Sequence, residues 1–299
     1  MLMLNMHTSA AEKRRALRTG LASGELMRVP GAMAPIVAML IEKLGFEAVY
    51  ISGAVMSAEL GLPDIGLTTL SEVVSRGHQI ARTTNLPAII DVDTGFGEPM
   101  NAARTVTELE SHGLAGCHFE DQVNPKRCGH LDNKTIVETA EMVRKIRAAT
   151  DAREDDNFVI MARTDSRASE GLEAAIDRAK AYVDAGADMI FPEAMENAGE
   201  FEAFRKAVDV PLLANMTEFG KSELLDADTL RNLGINMVIY PVTSLRLAMG
   251  AIEDGLTEIR DSGTQAGLID RMQTRKRLYD VIDYESYNQF DTDIFNFKI

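Results

Sequence analysis

Two acidic residues occupy alternate positions in Asp91-Val92-Asp93, and further carboxylates occur at Glu120 and Glu193. Carboxylates that gather in one place repel each other unless a cation lies among them. Mg²⁺ prefers one or two carboxylates completed by water or substrate oxygens, whereas the chain has no His/Cys cluster at the spacing of a zinc site. An isolated Asp-x-Asp also occurs in solvated loops and helix caps, so the fold must bring these side chains together for the magnesium prediction to hold.

The run Lys126-Arg127-Cys128-Gly129-His130 surrounds a thiol with cations. Positive neighbours favour the thiolate form that reactive cysteines use. Such a thiol can act as a nucleophile or a redox sensor, and it can also donate a proton to a developing carbanion. Cys117, within a predicted strand, is interpreted instead as an inert small hydrophobe.

Other polar groups give weaker signals. Gly95-Phe96-Gly97 lacks the rest of any nucleotide-binding fingerprint, so we interpret it as a tight turn. No partner is visible in the sequence for four histidines, for which we predict core or surface roles: His7, His78, His112 and His118.

The elements that must position these residues follow from an alternation of short apolar runs, rich in β-branched residues, with longer helical patterns. This alternation indicates repeated βα units and a parallel sheet. There are eight such runs, which is the number of strands in a (β/α)8 TIM-type barrel, and this is the α/β fold that we predict. The predicted strands are Leu26–Val29, Ala48–Ile51, Ala88–Val92, Gly116–Glu120, Phe158–Ala162, Met189–Phe191, Val210–Ala214 and Met237–Tyr240.

In such a barrel, the side chains at the C-terminal ends of the strands meet over one face. Polar residues that follow the predicted strands should therefore form a single site. They are Tyr50, Ser52, Gly53, Ala54, Asp91, Asp93, Glu120, Asp121, Lys126–His130, Arg163, Asp165, Glu193, Asn215, Thr217, Ser244 and Arg246.

Residues 1–299 contain no stretch rich enough in Pro, Gly or Ser to be an interdomain linker, so we predict a single barrel domain. Residues 1–9 are predicted to be a disordered lead-in. Residues 263–299 form a C-terminal helical extension beyond the eighth βα unit. This extension either packs across one barrel end or is exchanged between subunits.

Composition excludes several classes of partner. The 31 basic and 46 acidic residues give a net charge of −15, which repels nucleic acid and anionic membranes but leaves room for a small anionic substrate. Two cysteines do not make a disulfide framework. Residues 1–11 lack the basic patch and apolar run that a secretory signal needs, so none is expected, and no stretch approaches roughly 18 uninterrupted apolar residues. A cytoplasmic location is the expectation.

The chain resembles the isocitrate lyase and phosphoenolpyruvate mutase superfamily from about Gly20 to about Asp291, and within it the lyases that act on 2-methylisocitrate. The motifs that carry the resemblance are Ser52-Gly53-Ala54, Leu62-Pro63-Asp64, Asp91-Val92-Asp93-Thr94-Gly95-Phe96-Gly97, Glu120-Asp121-Gln122, Lys126-Arg127-Cys128-Gly129-His130, Met161-Ala162-Arg163-Thr164-Asp165, Phe191-Pro192-Glu193, Asn215-Met216-Thr217-Glu218-Phe219-Gly220 and Met272-Gln273-Thr274-Arg275. As a departure, Ala54 stands where some relatives carry glycine; a backbone amide contact would survive its methyl group.

The resemblance implies cleavage of 2-methylisocitrate to pyruvate and succinate, a step of the methylcitrate cycle in propionate catabolism, by a homotetramer whose C-terminal helices swap between subunits. It implies Mg²⁺, with Mn²⁺ as a possible substitute, held by Asp91 and Asp93 and supported by Glu120. The substrate-binding residues that it implies are Ser52, Gly53, Ala54, Cys128, Gly129, Arg163, Glu193, Asn215, Thr217, Arg246 and Arg275.

For this retro-aldol-type cleavage, Tyr50, as a phenolate beside cations, is the expected base, with Asp64 a weaker candidate. Cys128 is expected to protonate the carbanion-like succinate fragment. The residues expected to spread its charge are His130, Arg163 and Lys126.

Other functions remain open. Isocitrate lyases typically carry a long insertion and Lys-Lys-Cys-Gly-His, whereas this chain is short and has Arg127. Phe191, Ile239 and Pro241 are expected to form an apolar wall for the extra methyl group, although one methylene gives only about 1–3 kcal/mol of discrimination. Isocitrate or 2,3-dimethylmalate lyase, a carboxyphosphonoenolpyruvate mutase-like enzyme and a non-catalytic metabolite-binding barrel are the alternatives.

Overall fold

Parallel strands alternate with helices throughout residues 7–127, 129 and 134–296, which are the residues that the computed structural model describes. Two residues of the predicted thiol loop, Cys128 and His130, lie outside them. The strands are β1 (Met27–Pro30), β2 (Val49–Ile51), β3 (Ala88–Asp91), β4 (Gly116–Glu120), β5 (Val159–Thr164), β6 (Met189–Pro192), β7 (Leu213–Asn215) and β8 (Met237–Tyr240).

The strands form a closed ring in chain order. Strands β2 to β6 pair in sequence, and β1, β8 and β7 pair with one another, all in parallel. Isolated parallel bridges between Gly31 and Tyr50 and between Ile190 and Leu212 join the two groups. The predicted (β/α)8 architecture is confirmed, and β7 begins later than predicted, after Pro211, which has no N–H to donate to a neighbouring strand.

Helices lie around the ring and, in the case of α1, across one of its ends. They are α1 (Ala10–Ala22), α2 (Pro35–Lys43), α3 (Gly53–Glu59), α4 (Leu70–Ala81), α5 (Pro99–Ser111), α6 (Thr139–Ala152), α7 (Arg167–Glu170), α8 (Leu172–Asp184), α9 (Ala198–Ala207), α10 (Ala227–Asn232), α11 (Thr243–Ser262), α12 (Arg275–Val281) and α13 (Tyr284–Phe295). Among the described residues, no helix is long and apolar enough to span a membrane.

Two apolar layers hold the barrel together. The larger layer lies between the strands and the surrounding helices, and it contains Cys117, whose pKa is raised by burial, as befits an inert residue. The smaller layer fills the barrel interior, where Leu17 and Leu21 of α1 pack with inward-facing strand residues such as Met161 and Phe191. Helix α1 therefore closes the end of the barrel opposite the C-terminal ends of the strands.

Helix α1 is fixed by its N-cap and by buried cations. Ser9 forms a capping box with Glu12, and the backbone amides of His7 and Thr8 donate to Asn85 Oδ1. The predicted lead-in of residues 1–9 is therefore ordered from His7 onward, and residues 1–6 are not among those described. Lys13, only 4% exposed, donates to the carbonyl oxygens of Ala81, the last residue of α4, and of Thr84 just after it.

Helix α11, which follows the last strand, leaves an apolar stripe uncovered in the described structure. Helix α11 has no buried residue, and a 3₁₀ turn over Ala266–Arg271 leads to α12 and α13. Side chains at helical spacing on α11 are 44–63% exposed: Met249, Ile252, Leu256 and Ile259. The chain after α11 is largely helical, as expected of the extension, and packing across a barrel end does not bury the stripe on α11.

Candidate active site

The C-terminal ends of the strands surround one cavity, as their order predicts. Its lining includes eleven of the predicted site residues. They are Tyr50, Ser52, Ala54, Asp64, Asp91, Lys126, Gly129, Arg163, Glu193, Asn215 and Thr217. An apolar side is added by Phe191, Ile239, Pro241 and Val242.

Asp91 and Asp93 converge beside Gly53 at the start of α3. The Gly53 amide donates to Asp91 Oδ2 over 3.2 Å, and the Asp93 amide donates to Asp91 Oδ1 over 3.0 Å. A Cβ on Gly53 would stand 2.9 Å from Asp91 Oδ2 and 3.3 Å from Asp93 Oδ1. Glycine is needed here because the space that a methyl group would take lies directly beside both carboxylates.

The buried acids carry an electrostatic cost. Burial raises the pKa of Glu120 well above its ordinary value and that of Asp93 to about 6. Neither carboxylate oxygen of Glu120 accepts a hydrogen bond within the described part of the chain, although Arg163 Nη2 lies 3.4 Å from one of them. A cation near Asp91, Asp93 and Glu120 would compensate this charge.

The carboxylates at this position suit Mg²⁺, which keeps some of its water, better than a metal ion whose ligands all come from the protein. Within residues 7–127, 129 and 134–296, no group of three His, Cys, Asp or Glu side chains is arranged to hold a metal ion. Mg²⁺ needs only one or two carboxylates because it retains water and takes oxygens from the substrate. Asp91 and Asp93 could supply those carboxylates, and the unsatisfied oxygens of Glu120 could accept from its water.

Lys126 is a cation that contacts two of the acids at the cavity, Asp64 and Asp93. Its Nζ lies 2.8 Å from Asp93 Oδ1 and also contacts Asp64 Oδ1, and the side chain is 3% exposed. Burial lowers the pKa of Lys126, but Glu120, Asp93 and the other nearby carboxylates outweigh this effect and raise it. Lys126 therefore remains a charged ammonium at the edge of the cavity.

Arg163 is held by a buried network behind the cavity. Its Nε and Nη2 donate to the two carboxylate oxygens of Asp165 over 2.8 and 3.1 Å. Asp121 in turn accepts from the Asp165 amide, Thr164 Oγ1 and Tyr182 OH, each over 2.8 Å. This network fixes the guanidinium of Arg163, whose Nη2 also lies 3.8 Å from Glu193 Oε1.

Tyr50 lies in a different environment from the one expected. Its hydroxyl is 2.7 Å from His118 Nε2, and burial together with the charge of Asp91 raises its pKa well above the ordinary value. In the described structure, burial therefore favours the phenol form of Tyr50 over the phenolate that we expected from the sequence. The dominant reason is burial without a sufficient excess of positive charge.

His118 was missed as a site residue. It is fully buried, contacts Tyr50 and Phe191, and lies 3.8 Å from Asp91 Oδ1. Burial lowers the pKa of His118 to about 4, so the ring is neutral near pH 7. Strand periodicity could have found it, because His118 and Glu120 are two positions apart and face the same side of β4.

Arg246 and Arg275 occupy different positions. Arg246 reaches the rim, where Nη1 donates to Thr217 Oγ1 over 3.2 Å and the guanidinium lies over the exposed ring of Phe219. Arg275 is exposed at the start of α12 and does not line the cavity of its own chain. A role for Arg275 in substrate binding would therefore require another subunit.

Comparisons with known proteins agree with this geometry. The family model described as phosphoenolpyruvate phosphomutase matches residues 17–260. The chain is 60% identical to a probable 2-methylisocitrate lyase 2 of Corynebacterium glutamicum, over 96% of this chain and 94% of the relative. It is 47% identical to a 2-methylisocitrate lyase of Aeropyrum pernix, over 93% and 90% of the two chains. A solved structure of phosphonopyruvate hydrolase with oxalate and Mg²⁺ has a TM-score of 0.85 and 30% identity, covering 94% of this chain and 98% of the other.

The close approach of Gly53 to both aspartates predicts the effect of Gly53→Ala. The added methyl group should displace Asp91 and raise the Mg²⁺ dissociation constant by about 10- to 100-fold, as measured by titration calorimetry. Gly250→Ala is the matched control, because a Cβ on Gly250 meets nothing within 4 Å. Equal Mg²⁺ affinity in the two variants would contradict the cation site.

Proposed function

This chain belongs to the phosphoenolpyruvate phosphomutase family, and from that membership we propose that it is a carbon–carbon lyase that cleaves 2-methylisocitrate to pyruvate and succinate. The observation that carries the proposal is one cavity that combines the acids beside Gly53, the buried guanidinium of Arg163 and an apolar wall. A trianionic substrate with an extra methyl group needs each of these parts. In the cell, we propose that this reaction serves propionate consumption in the cytoplasm.

Bound Mg²⁺ would stabilise the alkoxide of the substrate and the carbonyl group of pyruvate. Asp91 and Asp93 would hold it, with Glu120 supporting through water, and Mn²⁺ is a candidate substitute. The amides of Ser52, Gly53 and Ala54 would position a substrate carboxylate nearby. These residues act by orientation, since they lie on a strand end and a helix start that the barrel holds rigid.

The hydroxyl proton must pass to a base in the cavity. Tyr50 is the proposed base; it must first lose its own proton, which His118 Nε2 at 2.7 Å is placed to accept, and a nearby positive charge such as Mg²⁺ would favour the resulting phenolate. Its hydroxyl contact with His118 keeps the oxygen in place during the transfer. Asp64 remains the weaker candidate, since its carboxylate is engaged by Lys126.

The succinate fragment leaves with carbanion character and must be protonated. Cys128 is the proposed donor; it precedes Gly129, which lines the cavity against Arg163 and Glu193. Arg163 and Lys126, with His130, would stabilise the negative charge of this fragment. The other proposed contacts to the substrate carboxylates are Asn215, Thr217, Arg246 and, from a neighbouring subunit, Arg275.

The exposed stripe on α11 supports assembly into a homotetramer in which C-terminal helices are exchanged. A row of apolar side chains at helical spacing is costly in water and is typical of a protein interface. Helix α12 packs on α2 of its own chain through the buried Val281, and in the assembly the exposed Arg275 at its start would reach the cavity of another subunit. We propose this arrangement as the one in which the site is complete.

The proposed function predicts Mg²⁺-dependent release of pyruvate and succinate from 2-methylisocitrate. We expect EDTA to abolish release and added Mg²⁺ to restore it, because the acids at the cavity need a cation to bind the alkoxide. The measurement is a side-by-side comparison of kcat/KM for 2-methylisocitrate, isocitrate and 2,3-dimethylmalate. A preference of about 5- to 150-fold for the methyl substrate over isocitrate is expected from one methyl group in an apolar pocket. No release from any of the three would refute the lyase proposal.

Cys128→Ser tests the proton donor. A hydroxyl is a far weaker acid than a thiol, so turnover should fall by about 10²- to 10⁴-fold while succinate binding changes little. Steady-state kinetics and calorimetric titration with succinate give the two readouts. Cys117→Ala is the control, since it removes a thiol that is buried in β4 and should leave turnover largely intact. Unchanged turnover in Cys128→Ser would dismiss Cys128 as the acid.

Leu256→Glu tests the assembly. A carboxylate in the middle of the apolar stripe should prevent its burial and dissociate the tetramer, as followed by sedimentation velocity. Glu253→Gln on the same helix is the control and should leave assembly unchanged. A tetramer that persists in Leu256→Glu would show that α11 is not the interface.

A further inference from the structure

Lys134 is a buried cation that follows the thiol loop and belongs to no strand end. Its Nζ donates to Asp165 Oδ1 over 3.0 Å and to the carbonyl oxygen of Gly129. The side chain is 3% exposed, and its partner Asp165 is fully buried. The ammonium group therefore joins the end of β5 to a loop residue that lines the cavity.

The backbone beside Lys134 is fixed by a short antiparallel pairing. The Val123 amide donates to the Thr135 carbonyl over 2.8 Å, and the Val137 amide donates to the Asp121 carbonyl over 2.9 Å. A bridge between Gln122 and Ile136 lies between these two bonds. The segment that carries Lys134 is thus anchored to the end of β4, and its side chain reaches Asp165 from a defined position.

Lys134 and Arg163 share the same carboxylate. Arg163 donates two hydrogen bonds to Asp165, and its Nη2 also lies near Glu120 and Glu193. Without a second cation, Asp165 and these acids would neutralise Arg163 and leave little of its charge for a ligand. Lys134 offsets one of those negative charges.

Lys134 also determines where the Gly129 backbone lies. A Cβ on Gly129 would overlap Arg163 Nη2 and the side chain of Glu193, so the main chain is packed directly on the guanidinium. The Gly129 carbonyl accepts a hydrogen bond from the side chain of Lys134. Loss of this contact would let the backbone move away from Arg163.

We infer that Lys134 is a positioning residue for substrate binding, which holds the Gly129 backbone against Arg163 and keeps the charge of Arg163 available for a substrate carboxylate. This inference rests on the proposed lyase function. Lys134 therefore strengthens the binding of a dicarboxylate, in addition to any effect that it has on folding.

The test is Lys134→Met in the full-length protein with Mg²⁺. The dissociation constant of succinate, measured by calorimetry without turnover, should rise by about 10- to 100-fold, and KM for 2-methylisocitrate should rise with it. Lys134→Gln, which removes the charge but keeps a polar group, should also weaken succinate binding. If Lys134→Met does not fold, the succinate affinity of Lys134→Gln tests the inference instead. Lys134→Arg should recover most of the affinity, because it restores the charge and the donors.

Lys13→Met is the matched control. Lys13 is an equally buried ammonium that donates to two carbonyl oxygens, but it lies at the opposite end of the barrel. It should lower the thermal midpoint and leave succinate affinity unchanged. If folded Lys134 variants bind succinate as the wild type does, the inference is overturned. If the wild type itself neither binds succinate nor releases pyruvate, the proposed lyase function has failed instead.

Discussion

The constraint on which this structure depends is a surplus of buried negative charge at one end of a parallel barrel. Five carboxylates surround the cavity: Asp64, Asp91, Asp93, Glu120 and Glu193. Lys126 and Arg163 are the cations that contact them directly in the described structure. Burial raises the pKa of Glu120 and so opposes its ionised form, and a divalent cation bound near these acids would stabilise their charged forms.

Such a site can persist only in a scaffold that prevents the acids from moving apart. The interior apolar layer is closed from below by Leu17 and Leu21 of α1, and the ends of β4 and β5 are joined through the hydrogen bonds of Asp121. These contacts lie away from the cavity, yet they decide the position of Arg163. The packed barrel therefore holds the charged groups at fixed distances from one another. Fixed distances are the condition for electrostatic preorganisation.

How much could be predicted from the sequence differs between the fold and the site. All eight strands were predicted, because apolar runs in βα alternation leave one economical closed arrangement, and the strand-end rule then placed most of the cavity lining. Protonation states could not be predicted in this way, because burial, which raises the pKa of Tyr50, is a property of the folded state. Lys134 was missed because it follows a loop, and its approach to Asp165 depends on a pairing between residues 121–123 and 135–137 that has no pattern in the sequence.

Because the protein has a net charge of −15, the few cations at the cavity decide which substrate binds. A trianion approaching this protein is repelled at long range, so its binding must come from a few charges at short distance, where the low-dielectric cavity strengthens them. Arg163 is held by Asp165, and Asp165 is shared with Lys134, so the affinity for a carboxylate depends on how that one acid is neutralised. In the proposed reaction, the apolar wall around Phe191 would then distinguish substrates by a methyl group, once the charged groups had oriented the carboxylates.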